Sequence, residues 1–150
     1  MNYCVLIPTY NNAKTLARVV EGVLQHTPNV IVVNDGATDE TEVILAQYPE
    51  LTVIHLPENR GKGNALRIGF EKARELGYEY AITIDSDGQH YPDDIPLFIE
   101  AAMQETAPVL LVGNRNMAQE GVPKKSSFGH KFSNFWFHLE TGVRLPDTQS

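Results

Sequence analysis

Two aspartates one residue apart, Asp85 and Asp87 in the stretch ITIDSDGQH (82–90), are the residues of this chain best placed to do chemistry. In extended backbone, residues i and i+2 project to the same side. Both carboxylates can therefore converge where a strand-like run ends, and like charges held side by side need a cation between them. Gly88 permits a turn from which Gln89 can add a carbonyl oxygen. Three oxygen donors suit Mg2+ or Mn2+, with water and a diphosphate completing the shell.

Other readings of this stretch compete with the metal. A calcium loop of the EF-hand type needs Gly at its sixth position and an acid at its twelfth. Gly88 and Pro96 stand in the wrong places for that. A phosphatase of the haloacid dehalogenase class also starts from an acidic strand end, but it normally has a hydroxyl residue where this chain has Gln89. In the plainest reading, Asp85 and Asp87 cap the following turn, a common use of Asp after a strand.

Three further polar clusters follow apolar runs. In VNDGATDET (33–41), Asp35 stands at a strand end before Gly36, where a carboxylate can accept from the N–H groups of a nucleobase. Thr38 or Asp39 caps the helix start beyond it. PENRGKGNAL (57–66) places Lys62 between Gly61 and Gly63 ahead of a helix N-terminus, an arrangement suited to phosphate. It is neither a Walker A motif, since no Ser or Thr follows Lys62, nor a complete GxGxxG fingerprint, since Leu66 stands at its end. His90 is more simply a turn residue than a ligand, and His26, His55, His130 and His138 lack metal-ligand spacing. Arg60 and Arg67 are expected to be solvated or salt-bridged.

The elements that must position these residues are legible in the apolar periodicity. Residues 3–7, 30–33, 52–56, 80–84 and 108–112 are rich in β-branched residues and read as strands. Several are apolar almost throughout, as in a parallel sheet covered on both faces. Between them, 13–26, 39–48 and 62–77 carry helical periodicity, Gly77 ending the third. A fourth helix is expected to begin near Pro92–Asp94, with Asp93 and Asp94 in its first turn. The alternation predicts an α/β sheet with right-handed crossovers. Ligands bind beyond the carboxyl ends of such strands, where all four polar clusters fall. After about 114, a polar loop holding Lys124 and Lys125 leads into 128–139. There Phe128, Phe132 and Trp136 are spaced four apart, as are Phe135 and Leu139, which predicts an amphipathic helix with an aromatic face.

Composition bounds the function. The chain has 150 residues, enough for one domain with a real core. Its net charge of −7 argues against a protein that coats nucleic acid, though not against a phosphorylated small molecule met by a cation. Cys4 is the only cysteine, so no internal disulfide forms and a reducing, cytoplasmic compartment fits. The run YCVLIP around it predicts a buried, inert thiol. No basic region of a signal peptide opens the sequence, and no run approaches about 18 consecutive apolar residues.

Taken together, IPTYNNAKTL (7–16), VNDGATDET (33–41), NRGKGNAL (59–66), IDSDGQHYPDDI (84–95), VGNR (112–115) and LPDTQS (145–150) resemble the family 2 glycosyltransferases. The resemblance is to the branch similar to dolichol-phosphate mannose synthases. It implies a GT-A fold, a mostly parallel α/β sheet flanked by helices, with a nucleotide-diphosphate sugar donor and a metal at the DxD motif. By the same resemblance Tyr10 and Asp35 contact the nucleoside, with Pro8, Asn12 and Ser86 among the substrate-binding residues and Lys62 near the nucleotide. Asp85, Asp87 and Gln89 form the metal and diphosphate site, and Arg115 lies near the phosphates of donor or acceptor. Asp147 falls near the acceptor, as base if the acceptor is a sugar hydroxyl. A polyprenyl phosphate is already ionised and needs none.

The family often has Glu where this chain has Asn12 and Asp where it has Asn34. Its members also usually continue beyond a motif like DTQS, so one GT-A domain, incomplete at its C-terminal end, is expected over 1–150. A non-catalytic nucleotide-sugar binding fragment is the alternative. If the aromatic segment with Lys124, Lys125 and Lys131 lay on an anionic membrane, the acceptor would be a lipid at its inner face; a core role for those aromatics is the commoner case.

Overall fold

A computed structural model of the chain describes residues 2–89, 92–104, 110–114, 124–125 and 132–138. The chain alternates as expected: β1 (Tyr3–Thr9), α1 (Ala13–Leu24), β2 (Val30–Asn34), α2 (Thr41–Leu45), β3 (Thr52–His55), α3 (Lys62–Glu75) and β4 (Tyr80–Ile84). A single 3-10 turn at Pro92–Asp94 leads into α4 (Ile95–Met103), followed by β5 (Leu110–Asn114), β6 (Lys124–Lys125) and β7 (Phe132–His138).

One sheet contains the seven strands of the described residues, in the order β3-β2-β1-β4-β7-β5-β6. β1 is parallel to both of its neighbours, β2 and β4, and β2 is parallel to β3. The carboxyl ends of these four strands therefore share one rim, and their loops meet there.

The continuous apolar character of β1 follows from burial on both faces. Cys4 and Leu6 pack with Leu66, Phe70 and Ala73 of α3. Val5 and Ile7 alternate to the other face, among Leu16, Val19, Val20 and Val23 of α1 and Ile95 and Phe98 of α4. The approach of α3 to β1 is close enough that a Cβ on Gly69 would lie 2.3 Å from Leu6 Cδ1. A side chain there would collide with buried Leu6, so this close packing of α3, whose start carries Lys62, requires a glycine.

The segment expected to be an amphipathic helix is different. Its residues 132–138 form β7, inserted antiparallel between β4 and β5, with Ile82 paired to Trp136 and Leu111 to Trp136. Aromatic residues favour strands, and a spacing of four satisfies a period of two as well as a helical one. Pairing on both sides decided the outcome. Residues 132–138 are therefore a strand and not an interfacial helix, while 128–131 and Leu139 lie outside the described residues. Within the expected polar loop, Lys124–Lys125 form a short strand antiparallel to β5.

Candidate active site

The rim of the sheet carries a cleft of about 290 Å³. It is lined by Pro8, Thr9, Tyr10 and Asn12 after β1, Asp35 after β2, Asn59, Lys62 and Ala65 around the start of α3, and Asp85, Ser86 and Asp87 after β4. Eight of the residues expected to bind substrate or metal thus meet in one place. The additions are Thr9, Asn59 and Ala65; Thr9 and Asn59 stand inside the motifs quoted above but carry no chemistry that spacing alone would single out.

Asp35 is buried, and it organises the loop before α3. Its Oδ1 accepts the Arg60 N–H at 3.0 Å and its Oδ2 the Gly61 N–H at 2.9 Å. Its own N–H donates to the Thr9 carbonyl at 2.9 Å, tying the ends of β1 and β2 together. The adjacent Gly36 has φ +70°, and a Cβ there would sit 2.3 Å from the Glu58 carbonyl carbon. The loop lies directly on that glycine, so both its backbone conformation and its lack of a side chain are required.

The position before it, Asn34, is buried. Its Nδ2 is 3.0 Å from His55 Nδ1, and its Oδ1 accepts the Ala37 N–H at 3.0 Å. These contacts give it a structural use. Asp39 accepts the Thr41 N–H at 3.0 Å and the Ala13 N–H at 3.1 Å, so one carboxylate joins the starts of α2 and α1. Its pKa is lowered: burial pushes it up, but hydrogen bonds from the Thr41 hydroxyl, the Thr41 N–H and the Ala13 N–H outweigh that.

Lys62, the first residue of α3, sends Nζ to within 2.7 Å of Asp85 Oδ1 and 2.8 Å of Oδ2. The cation beside the first aspartate is thus an ammonium. Asp87 is exposed, and its Oδ1 accepts the Gln89 N–H at 2.9 Å across the turn at Gly88, whose φ is +82°. The turn-capping use of Asp87 is therefore present in the structure alongside its place in the cleft.

Gln89 is exposed and is not among the residues lining the cleft. Among the described residues no group of three or more His, Cys, Asp or Glu forms a metal cage. Beside the loop-anchoring Asp35, the cleft offers the two carboxylates of Asp85 and Asp87. That pair suits a hard cation such as Mg2+ or Mn2+, which keeps several waters and is commonly held by one or two carboxylates and substrate phosphates.

Ser86, between the aspartates, is 1% exposed and cross-braces the rim. Its hydroxyl donates to Thr9 Oγ1 at 2.8 Å and accepts from Asn12 Nδ2 at 2.9 Å. The Thr15 hydroxyl donates to the Ser86 carbonyl at 2.6 Å. These bonds fix the loop after β4 to the loop after β1, and with it the origin of both carboxylates. Arg60 and Arg67 are salt-bridged to Glu58 and Glu71, as expected of surface residues. Arg115, Asp147 and His90 lie outside the described residues.

Comparison with known proteins bears directly on this arrangement. The profile of glycosyl transferase family 2 matches residues 4–148. The chain belongs to that family, which removes the phosphatase alternative. A UDP-N-acetylglucosamine–dolichyl-phosphate N-acetylglucosaminyltransferase from Methanococcus voltae is 30% identical, over 97% of this chain and 66% of its own length. An undecaprenyl-phosphate mannosyltransferase from Micrococcus luteus is 32% identical over 78% of this chain and 49% of its own. The chain thus spans about half to two thirds of the length of these relatives. Among solved structures, the Pyrobaculum calidifontis mannosyltransferase PcManGT, in complex with GDP-Man and Mn2+, superposes with a TM-score of 0.67 at 18% identity. The match covers 91% of this chain and 44% of that one, and it establishes the shared GT-A fold. Among the described residues no helix is long and apolar enough to cross a membrane.

Proposed function

We propose that this chain carries the donor-binding half of an inverting glycosyltransferase that moves a sugar from a nucleotide-diphosphate donor to a polyprenyl phosphate. The observation that carries the reading is the convergence of Tyr10, Asp35, Lys62, Asp85 and Asp87 on one cleft at the carboxyl rim of a parallel sheet. The names of the relatives support the lipid acceptor.

In this reading Tyr10, 43% exposed at the cleft, offers its ring to the base. Asp35 accepts from the base's N–H groups through the second lone pairs of its oxygens. Pro8 and Asn12 border the ribose, and Ser86 holds Asp85 and Asp87 in register. Asp85 and Asp87 would hold Mg2+ or Mn2+ at the mouth of the turn that carries Gln89, and the ion would supply Lewis-acid stabilisation for the leaving diphosphate. Lys62 and Arg115 add donors to the phosphates.

An oxygen of the acceptor phosphate attacks the anomeric carbon from the face opposite the diphosphate. The new C–O bond forms as the old one breaks, and the nucleoside diphosphate leaves with the bonding pair, so configuration inverts. No base is required, and Asp147 then positions groups. With a sugar hydroxyl as acceptor, Asp147 would take its proton instead. A lipid acceptor places the protein at the inner, cytoplasmic face of a membrane.

Calorimetric titration of UDP and GDP, with and without Mn2+, into the chain and its Asp87→Ala variant tests the donor site. One nucleotide is expected to bind in a Mn2+-dependent way, and the variant to lose that dependence. A folded chain that binds neither nucleotide, or an Asp87→Ala variant that binds as the parent does, would sink the reading.

A further inference from the structure

Lys62 covers the carboxylate that the cation of the donor site needs. Its Nζ is within hydrogen-bonding distance of both Asp85 oxygens, at 2.7 and 2.8 Å. At Asp87 the Oδ1 instead takes the Gln89 backbone N–H. The backbone that carries Lys62 is anchored, because Asp35 binds the N–H groups of Arg60 and Gly61 immediately before it. The side chain is not anchored in the same way. It is a four-carbon stem bearing a point charge with rotatable donors, and the pair is open to water at 38% and 25% exposure. Ion pairs this exposed are weak and exchange readily.

Resting on the donor-binding reading above, we propose that Lys62 is an exchangeable counter-ion. It occupies Asp85 before the donor arrives and passes to the donor's diphosphate as the divalent cation takes Asp85. The charges motivate the exchange. An incoming diphosphate would otherwise meet two carboxylates of its own sign, and an incoming dication would meet an ammonium. After the exchange the dication lies between Asp85 and the diphosphate, and the Lys62 ammonium faces the diphosphate. No covalent bond is made or broken; the Lys62–Asp85 pair gives way to ionic contacts of the dication with Asp85 and the diphosphate and of Lys62 with the diphosphate. The consequence is that cation and nucleotide each bind poorly alone and assist one another, a coupling that is reciprocal by linkage.

The test measures Mn2+ alone and nucleotide alone, by calorimetry, on the parent chain, Lys62→Met and Lys62→Arg, with circular dichroism to verify folding. Removing the ammonium should tighten Mn2+ binding roughly threefold to tenfold, since a competing pair and a like charge are both lost. The same variant should bind metal-free nucleotide more weakly by a similar factor. Lys62→Arg should remain close to the parent in both. Opposite shifts are the signature, because a merely damaged site would weaken both ligands. Unchanged or weaker Mn2+ binding by a folded Lys62→Met variant overturns the exchange, while Asp87-dependent binding by the parent leaves the donor site standing. A parent chain without that binding overturns both.

Discussion

Asp35 shows how one carboxylate can be structural and functional at once. It is 3% exposed, yet it lines the cleft, and both of its oxygens accept backbone N–H groups from the loop that leads into α3. Asp35→Asn keeps the shape but turns one acceptor into an NH2 group facing an N–H donor. Two donors then oppose each other in a buried place, a defect that costs about 1–3 kcal/mol. Urea denaturation should show that loss with an unchanged slope, and nucleotide binding should weaken because Lys62 rides on the same loop. A variant as stable as the parent would mean that the loop finds its anchor elsewhere. The sequence marks Asp35 by its place at a strand end. It does not reveal the loop N–H groups, because they come from residues 60 and 61, far along the chain and adjacent only after β3 pairs with β2.

At the scale of elements, the rim is held together by the starts of helices. Asp39 accepts from the first residue of α1 and the first residue of α2, and its pKa lies below the usual 3.8. A carboxylate whose folded pKa is depressed contributes stability that is complete above its unfolded pKa and is lost as pH falls through the folded one. Asp39→Ala should therefore destabilise by about 1 kcal/mol at neutral pH, the usual size of a lost helix-start acceptor. The difference from the parent should shrink as the pH falls below about 4. Asp94, whose pKa is raised by burial and by Asp93, titrates with the opposite sign but is common to both proteins, so it cancels. Denaturant midpoints at several pH values check this, and a difference constant down to acid would contradict it. The first four strands could be read from the sequence because each is a short, largely apolar run followed by a polar cluster, a local pattern. β7 could not be read as a strand. Spacing of Phe132 from Trp136 fits both periods, and only pairing with β4 and β5 separates them.

At the scale of the whole molecule, the parallel pairing of β1 between β2 and β4 makes the site and the core depend on one another. The strand whose end supplies Pro8, Thr9 and Tyr10 is also buried on both faces, with α3 on one and α1 and α4 on the other. Cys4 sits in that strand at 0% exposure, and burial pushes its thiol up to about 12. Only the thiolate reacts with disulfide reagents, so Cys4 becomes reactive when β1 separates from α3, which dismantles the core beneath the cleft. Its labelling should be slower than that of the urea-unfolded chain by at least about a thousandfold. The rate should rise with urea along the same slope as global unfolding. A ligand that binds only the folded chain adds to this protection by mass action, about a hundredfold at a free concentration 100 times its Kd. Mn2+ and the cognate nucleotide together should therefore slow the labelling of Cys4, although neither touches it. Labelling that is fast and indifferent to urea would mean that β1 and α3 part locally. In that case the alignment of Lys62 with Asp85 would be the first thing the molecule loses.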